Sequence, residues 1–494
     1  MSNPKDKTDP NLQPVRLQDE IAAPPRILLW GVIGLFVLLV GGFIAGIIAF
    51  NVLLTSGQQV RVINRLPWME TFQHREPTPQ GGILPTVDAN VAGGNDASNL
   101  LNFSISGATN TPEAEVNEAT RAGMIVPTIF STTIPTNIPS PVPSNTPVPL
   151  PSSTSTAAPA PVGGGNTDQT GISNTTKISL PDSYRNYGFQ WARQTWNNCG
   201  PATLTTALTY FGWVQDQDYA KRNLRPNRED KNVSPEELVN FVNTKSQVRA
   251  LWRVGGNTEL LRALIANGFP VMVERGMMFE ANDWLGHYQA LVAYDDSQGV
   301  LYAYDSFLGN GSSGEGEQMR YNSFDEDWKA FNRLYIVIYQ PQDEAHLQSI
   351  LGVNWDQQQA AENALLVAQE EARANQADGF AWHNMGTSLT LLGRYEEASS
   401  AFDIARQTNL HWRILWYQFG MFESYYHVGR YDDVISLAQI NLNQSPELEE
   451  SYYWRGMALI EQGKPNEAAS NFRTALRYNP NFIAAQEALS SISG

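Results

Sequence analysis

Cysteine is almost missing from this chain: Cys199 is the single thiol in 494 residues. One cysteine excludes an intrachain disulfide and any metal site built on several thiolates. Histidine is scarce as well, with six in all: His74, His287, His346, His383, His411 and His427. Positive charge is in deficit, 33 Lys and Arg against 50 Asp and Glu, a formal net charge of −17. No basic stripe is present to neutralise phosphates, which argues against nucleic acid as a partner. The Gly- and Ser-rich run Leu308–Gly316 lacks the preceding strand and following helix of a phosphate loop, so nucleotide binding is set aside.

The length allows two to four domains. The 29 prolines are spread unevenly, so part of the chain is not globular. Residues 1–25 are polar and contain proline, and are expected to be a disordered cytoplasmic tail. Ile27 to Leu54 then carries no charge over 28 residues. About 20 apolar residues span a bilayer, so a transmembrane helix is expected over 26–54, with the membrane contacted through residues 27–54. The run is too long for a signal-peptide core, and no small-x-small cleavage site follows. Lys5, Lys7, Arg16 and Arg26 precede it, while Arg61 and Arg65 follow. That slight bias puts the N-terminus in the cytoplasm and the rest of a single-pass cell-membrane protein outside. Residues 55–179 form a low-complexity stalk, with ten prolines between Val126 and Val162. Proline at this density favours extended, polyproline-like chain.

From 180 to 342 the composition turns globular and aromatic. Cys199 stands before an apolar helix expected over Ala202–Phe211, with Pro201 suited to a first helical turn. A thiol at a helix N-terminus faces unpaired N–H groups and the positive end of the helix dipole, and both favour the thiolate. Further helices are expected from Pro235 to Val242, capped by Ser234 with Glu237 three residues on, and from Asn257 to Asn267. Strands are expected over 270–274, 288–294, 300–305 and 334–339, the middle two joined by a turn ending at Gly299. Helices followed by an antiparallel sheet describe an α+β domain. His287 is its only histidine and Asp305 lies one hairpin away. Cysteine, histidine and aspartate in that order suffice for acyl transfer: a thiolate nucleophile, an imidazole that moves the proton, and a carboxylate that fixes the tautomer. Gln194 is placed to donate to a developing oxyanion beside the Cys199 N–H. The bland alternatives are a buried apolar cysteine, a structural histidine and an aspartate that caps a turn.

The segment Gln194…Asn197-Asn198-Cys199-Gly200-Pro201-Ala202, then Gly286-His287-Tyr288, then Asp305, resembles the C-39 cysteine peptidases, over about 160 residues. The resemblance implies a papain-like fold with Cys199 as nucleophile, His287 as base, Asp305 as orienter and Gln194 in the oxyanion hole. It departs in two places. Gln194 lies five residues before the cysteine where papain-like enzymes usually have six, which makes Gln190 an alternative, and Ser306 follows the aspartate where the family often has proline. The best-known members process bacteriocin leaders beside an exporter, and that substrate is not carried over.

After 342 the chain becomes helical, with a connecting helix in 343–378. Gly393-Arg394-Tyr395, Gly429-Arg430-Tyr431 and Gly463-Lys464-Pro465 then recur at 36 and 34 residues. This spacing resembles tetratricopeptide repeats, three of them over 379–494 with a closing helix. The middle unit is the poorest, with Phe422 where the others have Gly386 and Gly456. Such stacks commonly bind peptides or partner proteins, although a purely structural buttress is the plainer role. The whole reads as multidomain: one transmembrane helix, a disordered stalk, an α+β papain-like domain and an all-α solenoid. The expected function is that of a membrane-anchored cysteine peptidase acting on a protein or peptide substrate, with a protein partner on the repeats and neither cofactor nor metal. A non-catalytic surface scaffold and a cell-wall amidase on the same fold are the alternatives.

Overall fold

The computed structural model describes residues 26–53, 62, 66–72, 84, 97–102, 180–278, 284–408 and 410–493. The expected tail and most of the expected stalk lie outside these residues. Two compact units are resolved by contact, residues 1–75 and 76–494. In the first, a helix runs unbroken over Arg26–Val52, 27 residues. The run has no proline, so the hydrogen-bond ladder continues through its interior. Trp68 and Phe72 pack on its Phe43. Counting only the described residues, no helix is long and apolar enough to cross a membrane.

The second unit is built on a seven-stranded antiparallel sheet. Its strands are β1 (Ser183–Arg185), β2 (Arg249–Arg253), β3 (Val271–Met278), β4 (Trp284–Asp295), β5 (Val300–Asp305), β6 (Glu317–Arg320) and β7 (Tyr335–Tyr339). Their order is β2-β7-β3-β4-β5-β6, with β1 also on β4. Side chains alternate between two cores, as the strand period of two requires. Met272, Ile336 and Ile338 face the core shared with the helices Cys199–Thr209 and Pro235–Lys245. Val271, Val273, Tyr335 and Val337 face the other, which the helices Thr258–Ala266 and Tyr321–Lys329 cover. The Ser234–Glu237 capping box is present as expected, and Asn257 caps its helix through the Leu260 N–H. The first helix differs from expectation. It opens at Cys199 rather than Ala202, so the cysteine belongs to its first turn. Strand β4 also starts earlier than expected, which leaves His287 inside the strand rather than at its beginning.

The region after 342 is wholly helical. The expected connecting element is two helices, Glu344–Leu351 and Gln357–Ala374, separated by a 3-10 turn. Helix pairs follow at Gly379–Leu391 with Tyr395–Gln407, Gly420–His427 with Tyr431–Gln444, and Glu449–Glu461 with Pro465–Tyr478. The helix Ile483–Ser493 closes the array. The recurring glycines have a reason: Gly393, Gly429 and Gly463 hold φ between 71° and 77° in the three intra-pair turns. That left-handed backbone favours glycine. Gly386 and Gly456 serve packing instead. A Cβ there would stand 2.6 Å from the Phe402 ring and 2.5 Å from the Phe472 ring. In the middle pair the sizes are exchanged, with buried Phe422 in the glycine place and buried Ala438 in the phenylalanine place. A six-residue helix, Ala97–Asn102, stands within the stretch expected to be pure stalk. Its Leu100 and Leu101 are buried in the shared core, and the Gln369 Nε2 donates to the Leu100 carbonyl at 2.9 Å.

Candidate active site

Three chain segments meet at the candidate site. Asn197, at φ 51°, turns the approach sharply, and Cys199 opens the helix behind it. β4 and β5 are paired so that Gln289 lies opposite Asp305. Residues two apart on a strand share a face, so His287, Gln289 and Asp305 stand together. Arg275 joins the same face from β3, where it pairs with His287.

The geometry is that of a proton-transfer line. His287 Nε2 lies 2.9 Å from Asp305 Oδ1, and the Cys199 thiol hydrogen-bonds the same imidazole. Asp305 is fully buried and His287 nearly so, while Cys199 is partly exposed. Burial alone would raise the thiol pKa. The hydrogen bond and charge of His287, the Tyr288 backbone N–H and the Arg225 charge outweigh it, and the net shift is downward. For His287 burial is likewise the largest single influence, and it disfavours the imidazolium. The Asp305 carboxylate and the thiol overcome it and raise the pKa to about 10. Asp305 is held at about 2, against its burial, by His287, the Leu308 N–H and Gln289. The thiol–imidazole pair is therefore biased to thiolate and imidazolium.

Both aspartate oxygens are committed. Oδ1 accepts from Phe307 N at 2.7 Å and Leu308 N at 2.6 Å besides His287, and Oδ2 accepts from Gln289 Nε2. Gln289 Oε1 in turn accepts from Arg275 Nε at 2.7 Å, and Arg275 pairs with Asp327 at 2.8 Å. The glycine-rich segment after Asp305 thus begins as a cap on the carboxylate.

The structure brings Cys199, His287 and Asp305 together. Gln194 reaches them from the aspartate side. Its N–H donates to the Ser306 carbonyl and its Oε1 accepts from Ser306 Oγ, both at 2.8 Å. That leaves the Nε2 donors uncommitted among the described residues. The two departures from the family pattern are therefore coupled, because the serine after the aspartate holds the glutamine. Gln190 is exposed, and its N–H bonds Thr209 Oγ1 at the opposite end of the cysteine helix, roughly 15 Å of helix away. It is not the alternative oxyanion donor.

Sequence reasoning missed Gln289, Arg275, Arg225, Glu274 and Tyr417. Arg225 is buried just after the helix Gln217–Leu224, and its Nη2 donates to the Trp196 carbonyl at 2.9 Å. Gln289 had one signal, its place two residues beyond His287. Tyr417 comes from the helical array and packs on Gly286, where a Cβ would stand 3.0 Å from its ring. Tyr417 and Glu274 also line a narrow space of about 10 Å³ against Cys199. Both border a larger cavity, of 660 Å³, between the sheet domain and the array.

Comparison with known proteins places these features. Residues 186–336 match the Peptidase_C39 like family, and residues 449–482 match the tetratricopeptide repeat. No curated protein matches the chain. Among solved structures, a putative C39-like peptidase from Bacillus anthracis is 15% identical, covering 32% of this chain and 98% of that one, with a TM-score of 0.26. The peptidase domain of Streptococcus ComA, a bi-functional ABC transporter of a quorum-sensing pathway, is 16% identical over 31% of this chain and 99% of that one, with a TM-score of 0.24. MamA is 12% identical over 27% of this chain and 77% of that one, with a TM-score of 0.24. The chain therefore carries a C39-like peptidase domain in its centre and a tetratricopeptide repeat near its C-terminus.

Proposed function

We propose that this chain is a membrane-tethered cysteine peptidase. The Cys199 thiolate attacks a peptide carbonyl carbon. The resulting oxyanion is received by the Cys199 N–H and the Gln194 Nε2. Collapse breaks the C–N bond, and the leaving amine takes its proton from the His287 imidazolium. Water then gives a proton to His287 and attacks the thioester, which releases the acid and regenerates the thiolate. Asp305 fixes the imidazole throughout. The observation that carries this reading is the continuous line from thiol through imidazole to carboxylate, with the thiol pKa lowered and the imidazole pKa raised.

Tethering rests on the uncharged run Ile27–Leu54. That run, 28 residues by sequence, exceeds the roughly 20 apolar residues that span a bilayer. In this reading the C-terminal domains are extracytoplasmic and the helical array receives a protein partner. A second reading, a binding module without turnover, is favoured by one feature: the space beside Cys199 holds about a single water.

The pH dependence of Cys199 alkylation separates the two, measured on the full chain in detergent beside His287→Ala. A thiol of ordinary pKa near 8.5 is only about 0.3% thiolate at pH 6. A fully formed ion pair is thus expected to label up to roughly 300-fold faster than the His287 variant at that pH, less the lower nucleophilicity of a more acidic thiol. Equal rates in both proteins would remove the peptidase reading.

A further inference from the structure

Three carboxylates from distant parts of the sequence converge at the seam between the sheet domain and the helical array. Asp230 comes from the loop that follows the helix Gln217–Leu224. Glu449 and Glu450 come from the first turn of the helix Glu449–Glu461. One oxygen from each lies within 4.8 Å of the others. Asp230 is 1% exposed and Glu449 3%. Negative charges are not buried side by side without compensation, because desolvation and mutual repulsion both oppose it. The Arg225 guanidinium attracts Asp230 and Glu449 by charge, while its Nη groups donate to backbone carbonyls, those of Asn227, Arg228, Asp230 and Trp196.

The hydrogen bonding is divided in a telling way. Asn479 Nδ2 donates to Glu449 Oε1 at 2.8 Å, and Asn232 Nδ2 donates to Glu450 Oε1 at 3.0 Å. The Asn232 N–H donates to Asp230 Oδ1 at 3.1 Å. Each carboxylate is thereby oriented through one oxygen. The other oxygens of Glu449 and Glu450 are buried and have no partner. Amides that steer carboxylates from behind, with bare oxygens in front, are the outer shell of a metal site.

We infer that Asp230, Glu449 and Glu450 bind a calcium ion that joins the helical array to the peptidase-like domain. An all-oxygen, carboxylate-rich donor set selects the hard divalent cations. Calcium takes about six to eight oxygens in adaptable geometry, which suits carboxylates supplied by a loop and a separate helix better than the near-ideal octahedron that magnesium demands. Water fills the remaining positions through the 660 Å³ cavity, which Glu449 and Glu450 both border. The ion also has a mechanical consequence. Asp230 lies in the loop whose Arg225 braces Trp196 and whose Val233 carbonyl accepts from the Tyr288 hydroxyl at 3.1 Å. A cation at Asp230 therefore fixes the loop that touches both the cysteine approach and the strand of His287.

The test uses the full chain in detergent, stripped with a chelator and titrated with calcium chloride by calorimetry and by thermal melting. One saturable site per chain is expected, with Tm rising by roughly 5 °C at a hundredfold excess over Kd. The double variant E449Q/E450Q keeps the shape and the Asn479 and Asn232 hydrogen bonds. It is expected to melt no lower than the stripped protein and to ignore calcium. Asp230→Asn, which retains the acceptor for the Asn232 N–H, is expected to weaken calcium at least tenfold, and it serves if the double variant does not fold. Absence of calcium binding up to millimolar concentration would overturn the assignment. So would a calcium response that persists in both variants, or magnesium binding as tight as calcium.

Discussion

Replacing Asp305 with asparagine tests the site at its most constrained point. Four donors converge on the carboxylate: His287 Nε2, the N–H groups of Phe307 and Leu308, and Gln289 Nε2. An amide has one acceptor oxygen. If that oxygen keeps the three donors on its side, its NH2 is driven against the NH2 of Gln289. Gln289 cannot turn over, because its Oε1 already serves Arg275. The fall of the Asp305 pKa from 3.8 to about 2, at 1.36 kcal/mol per pKa unit, is worth roughly 2–3 kcal/mol to the folded state, and Asp305→Asn is expected to cost about that much near pH 6. The deficit has a defined pH window. The contribution of Asp305, whose folded pKa is lowered, is present above 3.8 and lost as pH falls through about 2. That of His287, whose folded pKa is raised, is full below 6.5 and lost as pH rises through about 10. The variant should therefore lag the parent most between about pH 4 and 6.5 and approach it on either side. Urea unfolding across pH 3–10 measures this, with Cys199 alkylation at pH 6 as a second readout that should slow. A cost under about 1 kcal/mol, flat across that range, together with unchanged alkylation, would refute the account of a buried, charged His287–Asp305 pair.

Two further substitutions probe the packing. Gly286→Ala sets a methyl group 2.6 Å from the Phe331 ring and 3.0 Å from the Tyr417 ring. It should destabilise by about 1–3 kcal/mol in a urea melt and, because Gly286 adjoins His287 in the strand, alter the alkylation profile of Cys199. Leu100→Ala empties a buried position at the array while the Gln369 bond to its backbone survives. A loss of about 2–3 kcal/mol is expected, with faster proteolysis between 76 and 179; an unchanged urea midpoint would mean that the Ala97–Asn102 helix contributes nothing to the fold.

Local chemistry made part of this structure readable. The Ser234 cap, the Gly299 turn and the recurring inter-helix glycines each obey a rule of a few residues, and the scarcity of cysteine and histidine singles out Cys199 and His287, with Asp305 one hairpin away. Strands β1, β2 and β6 went unread because, at three to five residues, they carry too little periodicity. The middle repeat read as the poorest of the three because of the exchange of sizes between Phe422 and Ala438, which preserves volume but not pattern. The Ala97–Asn102 helix is six residues of ordinary composition, and only the groove that receives it gives it a role. Tyr417 and the Asp230–Glu449–Glu450 cluster join residues that are far apart in sequence, about 220 positions in the latter case. Only the folded chain makes them neighbours.

The shared core bears on how this protein changes over evolutionary time. One continuous cluster runs from Leu204 in the cysteine helix, through Trp284 and Phe331, to Ala488 in the closing helix. Trp284 stacks on both Phe331 and His411, so the sheet and the array meet ring against ring. A boundary drawn near residue 342 therefore divides the sequence without dividing cooperativity. The two parts should melt in a single calorimetric transition, and neither can be exchanged for a foreign counterpart without repacking the aromatic seam. Recombination would have to carry the peptidase-like domain and its repeats as one heritable block.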